Sequence, residues 1–214
     1  MTVSASPSSA IDVAVVGGGP AGLMAAHRLA QQGLKVTVFD GSASVGRKFL
    51  LAGRGGLNLT HSEPAEHFVG RYGAQQAVVG DWLNAFGPQQ VQDWAHGLGV
   101  ETFVGTSGRV FPTDMKAAPL LRSWLVAMRA AGVRFAMRHR WLGWGDDRNT
   151  LRFATPDGEV AVQARATVLA LGGGSWARLG SDGAWVPALQ AAGVAVTPLQ
   201  AANCGFDVRM QPAA

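Results

Sequence analysis

The run Gly17-Gly18-Gly19-Pro20-Ala21-Gly22 fits the spacing G-x-G-x-x-G, and Asp40 follows about 20 residues later. Backbone without side chains lets amide N–H groups approach an anion closely, while a carboxylate at that spacing suits the hydroxyls of a ribose. In such a turn Gly17 permits the tight bend, Gly19 leaves room for a pyrophosphate, and Gly22 lets a helix approach a strand. Unpaired N–H groups at a helix start, together with the helix dipole, favour an exposed negative charge by roughly 0.3–1 kcal/mol. Asp40 would repel a 2′-phosphate, so the pattern reads as a site for FAD or NAD and argues against NADP there.

A second set of candidates lies downstream. Arg47 and Lys48 precede the stretch Phe49 to His61, in which Gly53, Gly55 and Gly56 cluster around Arg54. Such a loop offers cations and backbone donors to another phosphate or to the oxygens of a flavin ring. Gly172-Gly173-Gly174 ends a later apolar run and forms a second glycine turn. Among the histidines, His27, His67 and His96 read as surface or packing residues, and His61 is the only candidate acid or base. No carboxylate can be set beside it from spacing alone.

These groups need elements to hold them. Ile11 to Val16 is short and aliphatic, as expected of a strand buried on both faces. Gly22, Ala25, Ala26 and Leu29 follow at helical spacing with Gly33 as a stop, and Lys35 to Asp40 reads as a second strand. Strand, turn, helix and strand make a right-handed βαβ unit with parallel neighbours. Gly41 to Thr60 reads as a long glycine-rich connection with a functional role. Helices are expected over roughly Gln75 to Phe86 and Pro88 to His96, with Trp82, Phe86 and Trp94 packing there. A short extended piece follows at Gly108 to Pro112. Leu121, Trp124, Leu125 and Met128 mark a further helix with Pro119 in its first turn. Val133 to Met137 should then be a parallel strand. Arg140 to Gly145, Thr150 to Thr155 and Glu159 to Ala164 should form an antiparallel meander, with turns at Asp146-Asp147 and Pro156-Asp157-Gly158. Ala166 to Leu171 reads as a separate buried strand, Ala184 to Ala192 as a helix, and Asn203 to Val208 as the start of another strand.

The 214 residues are 48% hydrophobic and 15% charged, enough apolar content for one real core. With 29 glycines and 10 prolines the chain has the tight turns of an α/β ligand-binding fold and not those of a helical bundle. A formal net charge of +4 suits a phosphate-bearing ligand or a nucleic acid without choosing between them. Arg134, Arg138, His139 and Arg140 read as a solvated strand and turn face, since no aromatic residues interleave at base-stacking spacing. Cys204 stands alone, which excludes an internal disulfide framework and a cysteine-based metal site. Met1 to Ala10 is small and polar, without the pattern of a signal peptide, and no apolar run approaches the roughly 18 residues of a membrane span. A soluble cytoplasmic protein that binds neither metal nor membrane is the expectation.

Several separated stretches carry a family resemblance in the same order: VAVVGGGPAGLMAA, GRKFLLAGRGGLNLTHSEP, GRVFPTDMKA, ATVLALGGGSWARLGSDG and ANCGFDV. They resemble the BaiN/RdsA-type FAD-dependent oxidoreductases, across nearly the whole chain. The resemblance implies an α/β fold: a Rossmann-like FAD-binding domain with a central parallel sheet, helices and a three-stranded β-meander, and the start of a second, inserted domain. The implied division is a disordered arm over 1–10, the FAD-binding domain over 11–198, and the start of the inserted domain over 199–214. FAD is implied at Gly17, Gly18, Gly19, Pro20, Ala21, Gly22 and Asp40, with contacts from Arg47, Lys48, Gly56, Asn58, Gly172 and Gly173. The backbone near Arg140 and Trp141 is similar in placement to the segment that pairs with adenine. Better-studied relatives carry GGGRCN-x-TN where this chain has GRGGLNLTH. Arg54 is therefore displaced and Leu57 replaces the cysteine, while Asn58 and Thr60 match. Arg54, Asn58 and His61 are the polar candidates near a flavin.

The activities implied are NAD(P)H-driven reductions of a carbon–carbon double bond, in a bile-acid-type steroid or in a uridine of ribosomal RNA. Neither substrate transfers to this chain. Relatives of this type continue through an inserted domain into a segment that returns to enclose the flavin. The resemblance therefore implies a truncated chain, for which a non-catalytic nucleotide-binding fragment is the alternative to an active oxidoreductase.

Overall fold

The computed structural model describes residues 11–52 and 55–200. The proposed arm over 1–10, Arg54, Cys204 and the strand expected at Asn203 to Val208 lie outside the described residues. The chain opens with β1 (Ile11–Val16), α1 (Pro20–Gln31) and β2 (Val36–Asp40). Both strands are mostly apolar, buried from Val13 to Val16 and from Val36 to Phe39, and they pair in parallel from Val13 opposite Val36 to Val16 opposite Phe39. This is the βαβ unit the spacing predicts.

The connection after β2 is more structured than its glycine content suggests. It holds α2 (Arg47–Ala52), and after it come β3 (Thr60–His61), α3 (Ala65–Gly70), α4 (Gln76–Ala85) and α5 (Pro88–Gly97). Next are β4 (Thr102–Val104), β5 (Arg109–Pro112) and α6 (Ala117–Ala130). The three short strands form their own antiparallel sheet in the order β3-β5-β4. Only the segment of β5 has a strand-like pattern in the sequence. The expectation that Trp82 packs between helices is corrected, for it is 66% exposed on α4, whereas Trp94 of α5 lies edge-on to Trp124 at 4.8 Å.

The last part holds β6 (Arg134–Met137), β7 (Arg140–Trp144), β8 (Thr150–Thr155), β9 (Gly158–Leu169) and α7 (Val186–Ala191). The main sheet has six strands in the order β6-β2-β1-β9-β8-β7. One sequence expectation is overturned: Glu159 to Ala164 and Ala166 to Leu171 are not two strands. Residues 159–164 and 166–169 belong to the single 12-residue β9, which ends at Leu169 and is only partly buried in its second half. The first half pairs antiparallel with β8 and the second parallel with β1. No glycine or proline interrupts the backbone between the halves. Arg165, the charge that breaks the apolar run, lies exposed and bridges to Asp12 at 3.1 Å. The meander and the parallel sheet are thus one continuous structure.

Two cores sandwich the sheet. On one face Val13, Val15, Val36 and Val38 meet Leu23 of α1 and Trp124 and Met128 of α6. On the other, Ala14, Val16 and Phe39 meet Leu151 and Phe153 of the meander, with the Phe39 and Phe153 rings stacked at 4.5 Å. His27, 7% exposed, accepts a hydrogen bond at Nδ1 from Trp124 Nε1–H (3.2 Å) and so joins α1 to α6. Burial disfavours its charged form and lowers its pKa, with Arg28 adding to the effect. Among the described residues, no helix is long and apolar enough to cross a membrane.

Candidate functional site

The cleft opens where β1, β2 and β9 end, at their carboxyl edge. Ligands bind at this edge in open α/β sheets. Its floor is the turn between β1 and α1. Gly17 adopts φ 110, and a Cβ there would stand 2.2 Å from the Ala170 carbonyl oxygen. At Gly18 a Cβ would meet Val45 at 2.4 Å, and at Gly22 it would meet the Gly17 carbonyl oxygen at 1.9 Å. The protein's own packing therefore excludes any larger residue at these three positions. Gly19 differs: a Cβ would find nothing within 4 Å, and with φ −77 and ψ 176 its backbone is open to any residue. Among the described residues, nothing requires glycine there. Gly19 caps α1 without a side-chain hydrogen bond, and Pro20 takes the first helical position, where its missing N–H costs no bond.

Asp40 ends β2 beneath this turn. Its Oδ2 accepts from the Gly18 N–H and its Oδ1 from the Ser42 N–H, both at 2.7 Å. A carboxylate offers about four lone-pair sites, so acceptor capacity remains for hydroxyls of a ligand. The Gly46 N–H donates to the Gly18 carbonyl (2.8 Å) and brings the start of α2 against the turn. Arg47 reaches Ser42 Oγ at 3.2 Å and stays exposed, while Lys48 donates from Nζ to Ser181 Oγ at 2.9 Å.

The corner between β6 and β7 makes another wall. Arg138 turns the chain in the left-handed region at φ 57, and the N–H groups of Arg138 and His139 donate to the Ser42 and Asp40 carbonyls, each at 2.9 Å. These bonds bring His139, Arg140 and Trp141 to the cleft. The second glycine turn supplies Gly172 opposite, and the segment behind it supplies Ser181 and Trp185. The cavity measures about 300 Å³, at the lower end of the roughly 300–1,000 Å³ of small-molecule sites. Arg47, Lys48 and Arg140 line it against Asp40 and Asp182, so cations outnumber acids around an uncapped helix start.

The structure therefore gathers Gly17, Gly18, Gly19, Pro20, Asp40, Arg47, Lys48, Trp141 and Gly172 around one cavity. Gly22 lies beneath it as packing, and Ala21 is exposed in the first turn of α1. Gly173 turns its carbonyl to Ser181 Oγ (2.8 Å). Gly56, Asn58 and His61 lie elsewhere, in and beside the small sheet. Leu57 and Leu59 donate there to the Met115 and Val110 carbonyls, and Asn58 is exposed between them. His61 Nε2–H donates to the Ser107 carbonyl at 3.0 Å and its Nδ1 accepts from the Glu63 N–H at 3.1 Å. The carboxylate that spacing could not assign to it is Glu63, 3.8 Å away and already bound to Arg71 at 2.7 Å, which lowers the Glu63 pKa. With both ring nitrogens held by backbone, His61 clasps the turn before β5.

Sequence reasoning overlooked Ser42, Ser181 and Trp185. The available signal for Ser181 was the glycine-flanked run Gly180 to Gly183, a third cluster after Gly172 to Gly174.

Residues 11–209 match the family described as the HI0933-like protein Rossmann domain. The chain belongs to this family of FAD-binding flavoproteins. Shorter stretches match curated proteins. One is 47% identical over 49 residues to the ribosomal RNA dihydrouridine synthase of Haemophilus influenzae, covering 23% of this chain and 12% of that one. Another is 33% identical over 73 residues to the thiamine thiazole synthase of Thermococcus kodakarensis, covering 34% and 29%. Among solved structures, the fold is similar to the 3-ketosteroid-delta4-(5alpha)-dehydrogenase of Rhodococcus jostii RHA1. The TM-score is 0.58 at 20% identity, over 80% of this chain and 47% of that one. It is also similar to THI4 of Thermovibrio ammonificans, with a TM-score of 0.51 at 18% identity, over 76% and 57%. These two likenesses show the fold. The chain thus spans about half the length of these solved relatives and less than a third of the curated ones.

Proposed function

We propose that this member of the HI0933-like family binds FAD in the cleft, with the diphosphate over Gly17 to Gly22 and the adenosine ribose at Asp40. The observation that carries the reading is the contrast within the glycine turn. Gly17, Gly18 and Gly22 are demanded by contacts of 1.9–2.4 Å inside the protein, whereas Gly19 has only open cleft beside it. A residue kept small for no internal reason fits a site where an external group must come close. The cationic margin of Arg47, Lys48 and Arg140 and the unsatisfied start of α1 fit an anion in that place. Trp141 Nε1 and Trp185 Nε1 are buried without a partner among the described residues, on tryptophans that line the same cleft, and leave donors for further polar groups.

The activity we infer is that of an oxidoreductase reducing a carbon–carbon double bond with NAD(P)H. Bound FAD would supply the hydride-transfer chemistry. The chain's own part is to hold the phosphates, fix the ribose and shield one end of the cofactor from water. Reconstitution tests the reading: purified chain incubated with FAD and desalted should keep the flavin absorbance, and NADH or NADPH should bleach it. A colourless eluate removes the cofactor reading. Retained flavin that neither nucleotide reduces favours a nucleotide-binding, non-catalytic role.

A uridine of RNA is a second reading of the substrate, favoured by the 47% identity to a ribosomal RNA dihydrouridine synthase over 49 residues and by exposed Arg138 and Arg140 beside the cleft. It requires RNA retention that weakens steeply with salt. Absence of retention at low salt removes it.

A further inference from the structure

Ser181 is 2% exposed, and its hydroxyl has two partners. It donates to the Gly173 carbonyl at 2.8 Å and accepts from Lys48 Nζ at 2.9 Å. A hydroxyl has one hydrogen. With that hydrogen committed to Gly173, Ser181 presents lone pairs toward Lys48, so the contact has a direction. The same segment is closed on itself by backbone hydrogen bonds between Trp176 and Ser181 at 3.0 and 3.1 Å, which hold the serine in place.

Lys48 stands 133 residues earlier, on α2, two positions after the Gly46 N–H that donates to Gly18. A buried serine behind the second glycine turn thus holds a cation beside the first. Lys48, Gly18, Gly172 and Ser181 all line the one cleft. No ion pair with Lys48 occurs among the described residues, so its anchor is neutral and leaves the full charge to the cavity. Arg47 next to it is exposed and donates to Ser42 Oγ at 3.2 Å.

We propose that Ser181 is a positioning residue that orients the Lys48 ammonium toward the phosphates of the nucleotide, an assignment that rests on the cofactor reading above. Fixing a long side chain before the ligand arrives removes part of the rotamer entropy otherwise lost on binding. Among the described residues Lys48 makes one hydrogen bond, so two of its three ammonium hydrogens are available to phosphate oxygens.

The test is titration of ADP and of adenosine into the full chain, followed by quenching of tryptophan fluorescence, for the wild type, Ser181→Ala, Lys48→Met and the double variant. Ser181→Ala should weaken ADP roughly tenfold, the scale of one hydrogen bond to a charged group. Adenosine, which lacks phosphate, should bind as before. In the Lys48→Met background the serine substitution should change ADP affinity no further. Should the alanine variant lose its circular-dichroism signature, Ser181→Cys carries the same test, because sulfur is a poor acceptor for the ammonium. Unchanged ADP affinity in the serine variant overturns the assignment. So does an equal loss for adenosine, or a loss that persists undiminished without Lys48. A wild type that takes up neither ligand overturns the cofactor reading and this one with it.

Discussion

The two glycine turns of the cleft use the same residue for different physical reasons. In the first, Gly17 and Gly22 press backbone on backbone, with a Cβ at either position only 2.2 or 1.9 Å from a carbonyl oxygen. In the second, Gly172 needs glycine for its φ of 72, while Gly173 has nothing within 4 Å and is held by a serine side chain instead. The first turn is a packed junction between strand, helix and β9; the second is a loop tied down from outside. A glycine-rich string therefore says little until each glycine is asked what a methyl group would strike.

The contrast can be broken most forcefully at Gly22. Gly22→Ala drives a methyl into backbone that has no room to yield, and should cost roughly 3 kcal/mol or more of unfolding free energy in urea. Stability near the wild-type value would show the junction to be loosely packed. Gly19→Val, one turn earlier, should leave the thermal midpoint in place yet weaken ADP by at least roughly 100-fold, about 2.7 kcal/mol. Undiminished ADP uptake in that variant would remove the diphosphate from this turn.

The second turn should respond more mildly. Gly172→Ala forces a Cβ into the left-handed region and should cost about 1 kcal/mol, whereas Gly173→Ala should stay within roughly 0.5 kcal/mol of wild type. Equal losses at both positions would mean that backbone packing, and not the Ser181 tether, holds this loop. The smallest effect concerns the helix that supports the first turn. Burial lowers the pKa of His27, so the unfolded chain takes up its proton first as pH falls. The neutral His27 contribution should be complete above pH ~6.5 and diminish below it toward the depressed folded value. Urea midpoints measured across that window should slope downward in the wild type and flatten in His27→Gln. Identical slopes would assign the acid sensitivity to another group.

Local pattern made β1, α1, β2 and α6 legible, because continuous apolar runs and helical spacing are written in consecutive residues. It was misleading at β9, where two strands were expected on either side of Arg165, an exposed residue within a single strand. The small antiparallel sheet escaped notice for a related reason: its strands of two to four residues are too short to show a period. Trp82 was assigned to a core by its type alone, although its helix leaves that face uncovered.

For the site, residue type and spacing identified the first glycine turn, Asp40 and the basic pair, since each belongs to a segment whose chemistry is local. The sequence could not say that Gly56, Asn58 and His61 stand apart from the cleft, nor that Ser181 joins it. Those facts depend on which distant segments the sheet brings together. A contact across 133 residues leaves no mark in the letters on either side, because neither partner's neighbours encode where the other will be. What the chain determined by itself is the anion-ready turn between its first strand and first helix. Which side chains surround that turn was decided only when β9 carried the meander back into the sheet beside β1.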